Sequence, residues 1–243
     1  MRDLFVKTLS DLAKADRSIV FLTGDLGFGS FDQFEADHPG QYFNVGIAEQ
    51  NMMGLATGLS LAGKKVVTYS IGNFASLRCL EQIRNDASYH DTSITIVSNG
   101  GGFSYGALGM SHHTTEDLAI LRSIPGMTVT APSTDLEVAE TTRNLVTSKG
   151  VGYLRLDKSS VDFDDENIEY EIGKARKFMD GDDLTLICIG SIISEALEAA
   201  KELSNHGIYV RVLSMHTVKP LDVNAINSAS KETGGILTIE EHN

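Results

Sequence analysis

Three stretches of the chain carry side chains able to do chemistry. "NVGIAEQNMMGLATGLS", residues 44–60, is almost wholly apolar or small, yet Glu49 falls in the first turn of the helix its pattern predicts, with no Lys or Arg in the segment. Two readings fit. An acidic residue in a first turn is stabilised by the helix macrodipole by about 0.3–1 kcal/mol, which would suffice to account for it. Against that, Gly54, Ala56, Gly58 and Ser60 let another backbone approach closely, which predicts a buried helix lying against a neighbouring subunit. A carboxylate buried without a partner is costly unless it is protonated or used. "TGDLGFGS" puts Asp25 at the C-terminal end of an apolar run, the edge where open α/β sheets bind ligands. "GMSHHTTEDLAIL" places His112 and His113 in a glycine-flanked loop before a helix with Glu116 and Asp117 in its first turn. Imidazole titrates near neutral pH, so His112 suits proton handling or hydrogen bonding to a substrate. Adjacent histidines cannot comfortably share one metal ion, and no Cys or carboxylate spacing completes a ligand set, so no metal site is expected. His216 and His242 read as structural or exposed. "GFGSFD" lacks the third glycine of a dinucleotide fingerprint; "SNGGGFSYGALG" could offer amides to an anion or be a plain loop, but lacks the Gly-Lys-Ser/Thr ending of a P-loop.

The elements that must position these groups are legible as alternating patterns. Leu4, Phe5, Thr8, Leu9 and Leu12 recur at helical spacing, and "SIVFLTGDLG" then reads as a buried strand running into a turn. Similar apolar runs follow at "KVVTYS", "SITIVSNGGG", "MTVTAPS" and "GYLRLDKS", with helices predicted between them over 74–88 and 134–148. Strands alternating with helices predict a doubly wound parallel sheet covered on both faces. Residues 161–183 hold nine Asp or Glu against three Lys or Arg and read as an acidic linker, dividing a first domain, 1–160, from a smaller α/β domain, 184–243. That second domain shows strands at "LTLICIGSI", "IYVRVLSMHTV" and "GGILTIEEHN", with helices near 194–205 and 222–231. Three strands and two helices leave one sheet face thinly covered, so this domain is expected to be incomplete at its C-terminal end.

Composition removes several classes of partner. The formal net charge of −13, with no cluster of Lys and Arg, lacks the counterion release that drives nucleic-acid binding and disfavours anionic membrane surfaces. No stretch approaches the roughly 20 apolar residues of a membrane span, and the first helix is not a signal peptide. Cys79 and Cys188 stand outside any metal or redox spacing, which predicts a reduced, cytoplasmic setting.

"GDLG", "NVGIAEQNMMGLATGLSLAGKKVVTYSIGNFASLRCLEQIRND" and "GALGMSHHTTEDLAILRSIPGMTVTAPS" together resemble the pyrimidine-binding domain of the transketolase family. "LTLICIGSIISEALEAAKEL", "VRVLSMHTVKPLD" and "TIEEHN" are similar to the family's C-terminal domain, so the resemblance runs over nearly the whole chain. It implies thiamine diphosphate as cofactor. By resemblance Glu49 hydrogen-bonds N1′ of the aminopyrimidine and favours the tautomer whose N4′ takes the proton from C2 of the thiazolium. A two-carbon ketol unit then passes from a ketose to an aldose. The resemblance also implies that Phe74 stacks on the pyrimidine ring, with plain core packing as the other reading. Asp25 lies near the cofactor or shapes a turn, and His112 and Asn99 face the substrate. Arg155 meets a substrate phosphate or serves as a structural strand-end arginine. Where the family carries Asp-Gly-x-Thr-His, this chain has Leu108, Gly109, Met110, Ser111 and His112, which implies a different acceptor sugar. The family's Gly-Asp-Gly segment, which holds diphosphate and Mg2+, is missing; "GDD" at Gly181 lacks the second glycine. The chain is therefore expected to be the second subunit of a split transketolase, working as a heterotetramer with an N-terminal partner and associating with itself across the pyrimidine domain. The β subunit of a 2-oxoacid dehydrogenase, a 1-deoxyxylulose-5-phosphate-synthase-like enzyme and, in a different class, a non-catalytic α/β interaction module are the alternatives.

Overall fold

A computed structural model of the 243-residue chain describes residues 1–27, 29–163 and 169–243. Phe28, inside the glycine-rich fragment after the first strand, and residues 164–168 of the acidic segment lie outside the described residues.

Helix α1 (Arg2–Ala15) leads into β1 (Ile19–Thr23), α2 (Asp32–Asp37), the short strand β2 (Tyr42–Asn44), α3 (Glu49–Leu61) and β3 (Lys65–Ile71). The segment predicted as one helix over 74–88 is broken instead. It comprises α4 (Gly72–Ala75), a 3-10 turn at Leu77–Cys79, the single turn α5 (Leu80–Gln82) and a π-helical stretch at Ile83–Ser88. The break at Ser76, whose hydroxyl donates to the Gly72 carbonyl, lets Cys79, Ile83 and Ala87 face the core while Phe74 stays half-buried and Arg78 exposed. Then follow β4 (Ile94–Asn99), α6 (Asp117–Ser123), β5 (Thr128–Thr130), α7 (Asp135–Thr147) and β6 (Val151–Leu156). Thr134 caps α7 by accepting from the Glu137 amide, the capping that its Thr-x-x-Glu spelling encodes.

The first sheet runs, in space, β5-β6-β4-β3-β1-β2, all parallel. One face packs Met52, Met53 and Ala56 of α3 and Leu118 and Leu121 of α6 against Val66, Ile94, Ile96 and Tyr153. The other packs Phe5 and Leu9 of α1, Phe34 of α2 and Val138 of α7 against Phe21, Val67, Tyr69 and Leu154. Burial on both faces explains why these strands read as continuous apolar runs.

The second sheet is built from β7 (Arg176–Met179), β8 (Leu184–Cys188), β9 (Val210–Ser214) and β11 (Ile236–Ile239), in the order β11-β8-β9-β7, with β7 antiparallel. Its helices are α8 (Ile193–Ser204) and α9 (Val223–Glu232). Three expectations are corrected here. Residues 176–179 of the acidic linker are a strand of this sheet, which has four strands rather than three. Its faces are both covered, one by α8 and the other by Ala225 and Ile226 of α9. "IYVRVLSMHTV" is not one strand: after β9 the chain leaves the second sheet, and β10 (Thr217–Lys219) adds to the edge of the first, antiparallel to β5. The chain of the second domain is thus bound to the first sheet by backbone hydrogen bonds. Arg176, 2% exposed, reinforces the joint by donating to Glu137 of α7 at 3.2 Å.

Candidate functional site

Of the six residues singled out from the sequence, Glu49, Phe74, His112 and Asn99 are linked in one line at the C-terminal edge of the first sheet. Glu49 opens α3 with its side chain 1% exposed. The expectation that it lacks a partner is wrong. Ser70 Oγ, at the end of β3, donates to its Oε1 at 2.9 Å, and Arg78 Nη1 donates to its Oε2 at 2.7 Å. Gly24 backs the inner oxygen so closely that a Cβ there would lie 3.1 Å from Oε1. Arg78 in turn lies over the ring of Phe74, its guanidinium carbon 4.0 Å from the centroid. The edge of His112 meets Phe74 with ring centroids 5.2 Å apart, and His112 Nδ1 is 2.9 Å from Ser111 Oγ. Tyr105 packs on the other side of His112 at 5.7 Å, and its hydroxyl accepts from Asn99 Nδ2 at 3.0 Å. Ser70, Glu49, Arg78, Phe74, His112, Tyr105 and Asn99 are therefore one contiguous line. Burial together with the Glu49 charge pushes the nearby Cys79 thiol up to about 12, so it stays protonated and inert at neutral pH.

Asp25 is on the same edge, where it shapes a turn. It adopts φ 55°, a conformation Asp tolerates better than most residues. Asn44 accepts from the Asp25 and Gly46 amides at 3.0 Å each and donates to the Asp25 carboxylate at 2.9 Å. That bracket ties the end of β1 to the loop entering α3 and so sets where Glu49 starts.

Arg155 is not at the surface. It is 3% exposed, 3.5 Å from Asp117 and 3.7 Å from Asp157, and donates to the Glu241 carbonyl at 3.2 Å. The strand-end structural reading fits this placement. Tyr153 donates to Asp117 at 2.6 Å, and His242 Nε2 lies 3.8 Å from the same carboxylate, so this buried cluster joins the two domains. Desolvation raises the Asp117 carboxyl above its ordinary range despite Arg155 and Tyr153. His216, buried, and His242, whose side chain is 5% exposed, are structural; His216 stacks on Tyr170 at 4.6 Å.

The glycine run Gly100–Gly102 offers no anion cradle. Its amides donate to the Leu156 and Thr114 carbonyls. Clearance accounts for Gly101, where a Cβ would meet Arg155 Nε at 1.8 Å, and likewise for Gly72 of α4, where one would meet Thr114 Oγ1 at 1.9 Å. This close approach brings the loop carrying His112 down beside Phe74.

Sequence reasoning missed Arg78, Ser70, Tyr105 and Lys158. Lys158, exposed, has its ammonium 5.0 Å over the Tyr105 ring, and a cavity of about 400 Å3 is lined by Arg2, Asp3, Asn99, Tyr105 and Lys158. A larger cleft of about 530 Å3, lined by Arg84, Tyr89, His90 and Pro125, lies by the N-terminal ends of β4 and β5, away from these residues. Phe103, Leu108 and Met110 stand out from the loop before His112, at 55%, 58% and 85% exposed. On α3, Met52, Met53, Ala56 and Thr57 face inward and Ser60 accepts from the Ser93 amide, but Gly54, Leu55, Gly58 and Leu61 are exposed, and a Cβ on Gly54 or Gly58 would meet nothing within this chain. Among the described residues no group of three or more His, Cys, Asp or Glu could hold a metal ion, and no helix is long and apolar enough to cross a membrane.

Known proteins resemble this chain over both of its sheets. Residues 1–162 match the transketolase pyrimidine binding domain and residues 173–243 the transketolase C-terminal domain. An apulose-4-phosphate transketolase subunit of Phocaeicola vulgatus is 38% identical over 244 residues, covering 99% of this chain and 78% of that protein. A 6-deoxy-6-sulfo-D-fructose transketolase subunit of Clostridium sp. is 36% identical, covering 99% and 75%. A solved split gene transketolase, described as an inactive beta4 tetramer, superposes with a TM-score of 0.90 at 34% identity, covering 99% of this chain and 79% of that one.

Proposed function

The chain belongs to the transketolase family, with that family's pyrimidine-binding and C-terminal domains, and from this premise we propose that it is one subunit of a split, thiamine-diphosphate-dependent transketolase. The observation that carries the reading is the unbroken line from Glu49 through Phe74 to His112 and Asn99 at the C-terminal sheet edge.

The residues present fit an aminopyrimidine ring. Such a ring needs a flat apolar neighbour and a carboxylate at one ring nitrogen; Phe74 is half-buried beside Glu49, whose inner oxygen is already fixed by Ser70. When bound, the cofactor supplies the nucleophile that cleaves the ketose carbon–carbon bond. Glu49 holds a proton at N1′, Phe74 orients the ring, and Gly24 with Ser70 keeps water from the inner carboxylate oxygen. His112, its ring fixed by Ser111 and Phe74, and Asn99 present hydrogen-bonding groups to the sugar. The cations placed to meet a substrate's anionic end are Lys158 and Arg2, in the role first given to Arg155. Leu108, standing where the family carries Asp, gives the acceptor an apolar neighbour. The partner subunit supplies the diphosphate and Mg2+ sites, the exposed face of α3 serves self-association within a heterotetramer, and the setting is cytoplasmic.

The test is Glu49→Gln in the complex with the N-terminal subunit, assayed with ketose phosphate donors and aldose acceptors and, in parallel, with pyruvate. Transfer from the ketose is expected to vanish while the assembled mass is unchanged. A near-normal rate in the variant would sink the role of Glu49, and turnover of pyruvate instead of ketoses would move the chain to the oxoacid branch of this chemistry.

A further inference from the structure

We propose that Arg78 is a displaceable counter-ion: its guanidinium and the cofactor's aminopyrimidine compete for the outer oxygen of Glu49 and for one face of Phe74. The inference rests on the reading of Glu49 and Phe74 just given. The two carboxylate oxygens are not equivalent. Oε1 points inward, against Ser70, which is 0% exposed, and against Gly24. Oε2 points outward and is taken by Arg78 at 2.7 Å. Whatever reaches Glu49 from solvent therefore meets Oε2, and the Arg78 guanidinium, first.

The same guanidinium carbon stands 4.0 Å from the Phe74 ring centre, within the range at which a cation stacks on an aromatic face. A planar group donating to a carboxylate while lying on an aromatic ring makes the same two contacts that a flat heteroaromatic ring would make there. The two cannot hold both contacts together. The exchange is one-sided in mobility. Arg78 is 40% exposed, on a long side chain in a 3-10 turn at the rim, and can swing into water; Glu49, 1% exposed at the head of α3, cannot follow. The arrangement keeps a deeply buried carboxylate charge-balanced from within the chain and gives it up to the ring at loading. Cofactor association is then an exchange, slower and weaker than an open site would give.

The experiment uses the chain assembled with its N-terminal partner, titrated with thiamine diphosphate and Mg2+ by calorimetry and followed by stopped flow. Arg78→Met is expected to bind at least tenfold more tightly and to associate faster. Arg78→Lys, whose ammonium cannot lie flat on Phe74, is expected to fall between it and wild type. In 15N-arginine spectra the Arg78 guanidinium signal, protected in the chain, is expected to lose protection as cofactor is added. Binding by Arg78→Met that is unchanged or weaker would show that Arg78 stays on Glu49 and would overturn the proposal. Should that variant not assemble, Arg78→Lys decides by the same criterion. A wild-type complex that binds no thiamine diphosphate would instead sink the reading of Glu49 itself, an outcome distinct from binding that the variants fail to improve.

Discussion

Glu49 and Arg78 form one ion pair, yet removing either end should cost very different amounts. Take Arg78→Met first. It leaves a carboxylate 1% exposed with a single neutral donor, Ser70 at 2.9 Å. Breaking a buried pair so as to strand its buried charge costs about 3–5 kcal/mol. In Glu49→Gln the amide still accepts from Ser70, and the released guanidinium, already 40% exposed, turns to water. The loss is that of one charge-assisted hydrogen bond, about 1.5–3 kcal/mol. Combining the two removes the stranded charge, so the double variant should be more stable than Arg78→Met by itself. Urea unfolding followed by circular dichroism measures all three. If Arg78→Met costs no more than Glu49→Gln near neutrality, Glu49 is not the dry, charge-balanced group described above.

Other perturbations read different parts of the fold. Gly72→Ala puts a methyl 1.9 Å from Thr114 Oγ1, so a loss of about 1–3 kcal/mol is expected, together with shifted His112 imidazole resonances as the loop is pushed off Phe74; an unmoved His112 spectrum would count against the loop being seated by this contact. Asp117→Ala leaves Arg155, 3% exposed, with Asp157 at 3.7 Å as its remaining carboxylate, and should cost about 3–5 kcal/mol in thermal or urea unfolding. The Ser18 hydroxyl and amide, with Lys65, hold Asp16 down at about 2. Its contribution is present above the unfolded value of about 3.9 and lost as pH falls through the folded one, so the stability gap between wild type and Asp16→Asn should close on acidification, and a gap independent of pH would refute that assignment. Cys79, 0% exposed with its thiol pushed up to about 12, should resist alkylation in the folded chain and react on unfolding; rapid labelling of the native chain would contradict the packing.

By itself the sequence determined what periodicity and local spelling encode. Largely apolar runs at 19–23, 65–71 and 94–99, alternating with helical patterns, read as strands covered on both faces, and the Thr-x-x-Glu of 134–137 marked the start of α7. Glu49 stood out because its surroundings are apolar over a whole helix, a signal contained within one segment. Its partner was not legible. Arg78 is 29 positions away and reaches Glu49 because β3 lies beside β1 and the following helix breaks at Ser76, neither of which is written into the residues between them. Arg155 reads the same on paper whether exposed or buried. Its burial depends on Gly101 passing over it and on Glu241 arriving from the second domain. The three residues of β10 carry no mark of which sheet they join; the antiparallel pairing with β5 exists only once both domains are in place. Local pattern sets which face of an element is dry, but ion pairs, edge pairings and the contents of a site depend on which distant elements become neighbours, and that is decided by packing the whole chain.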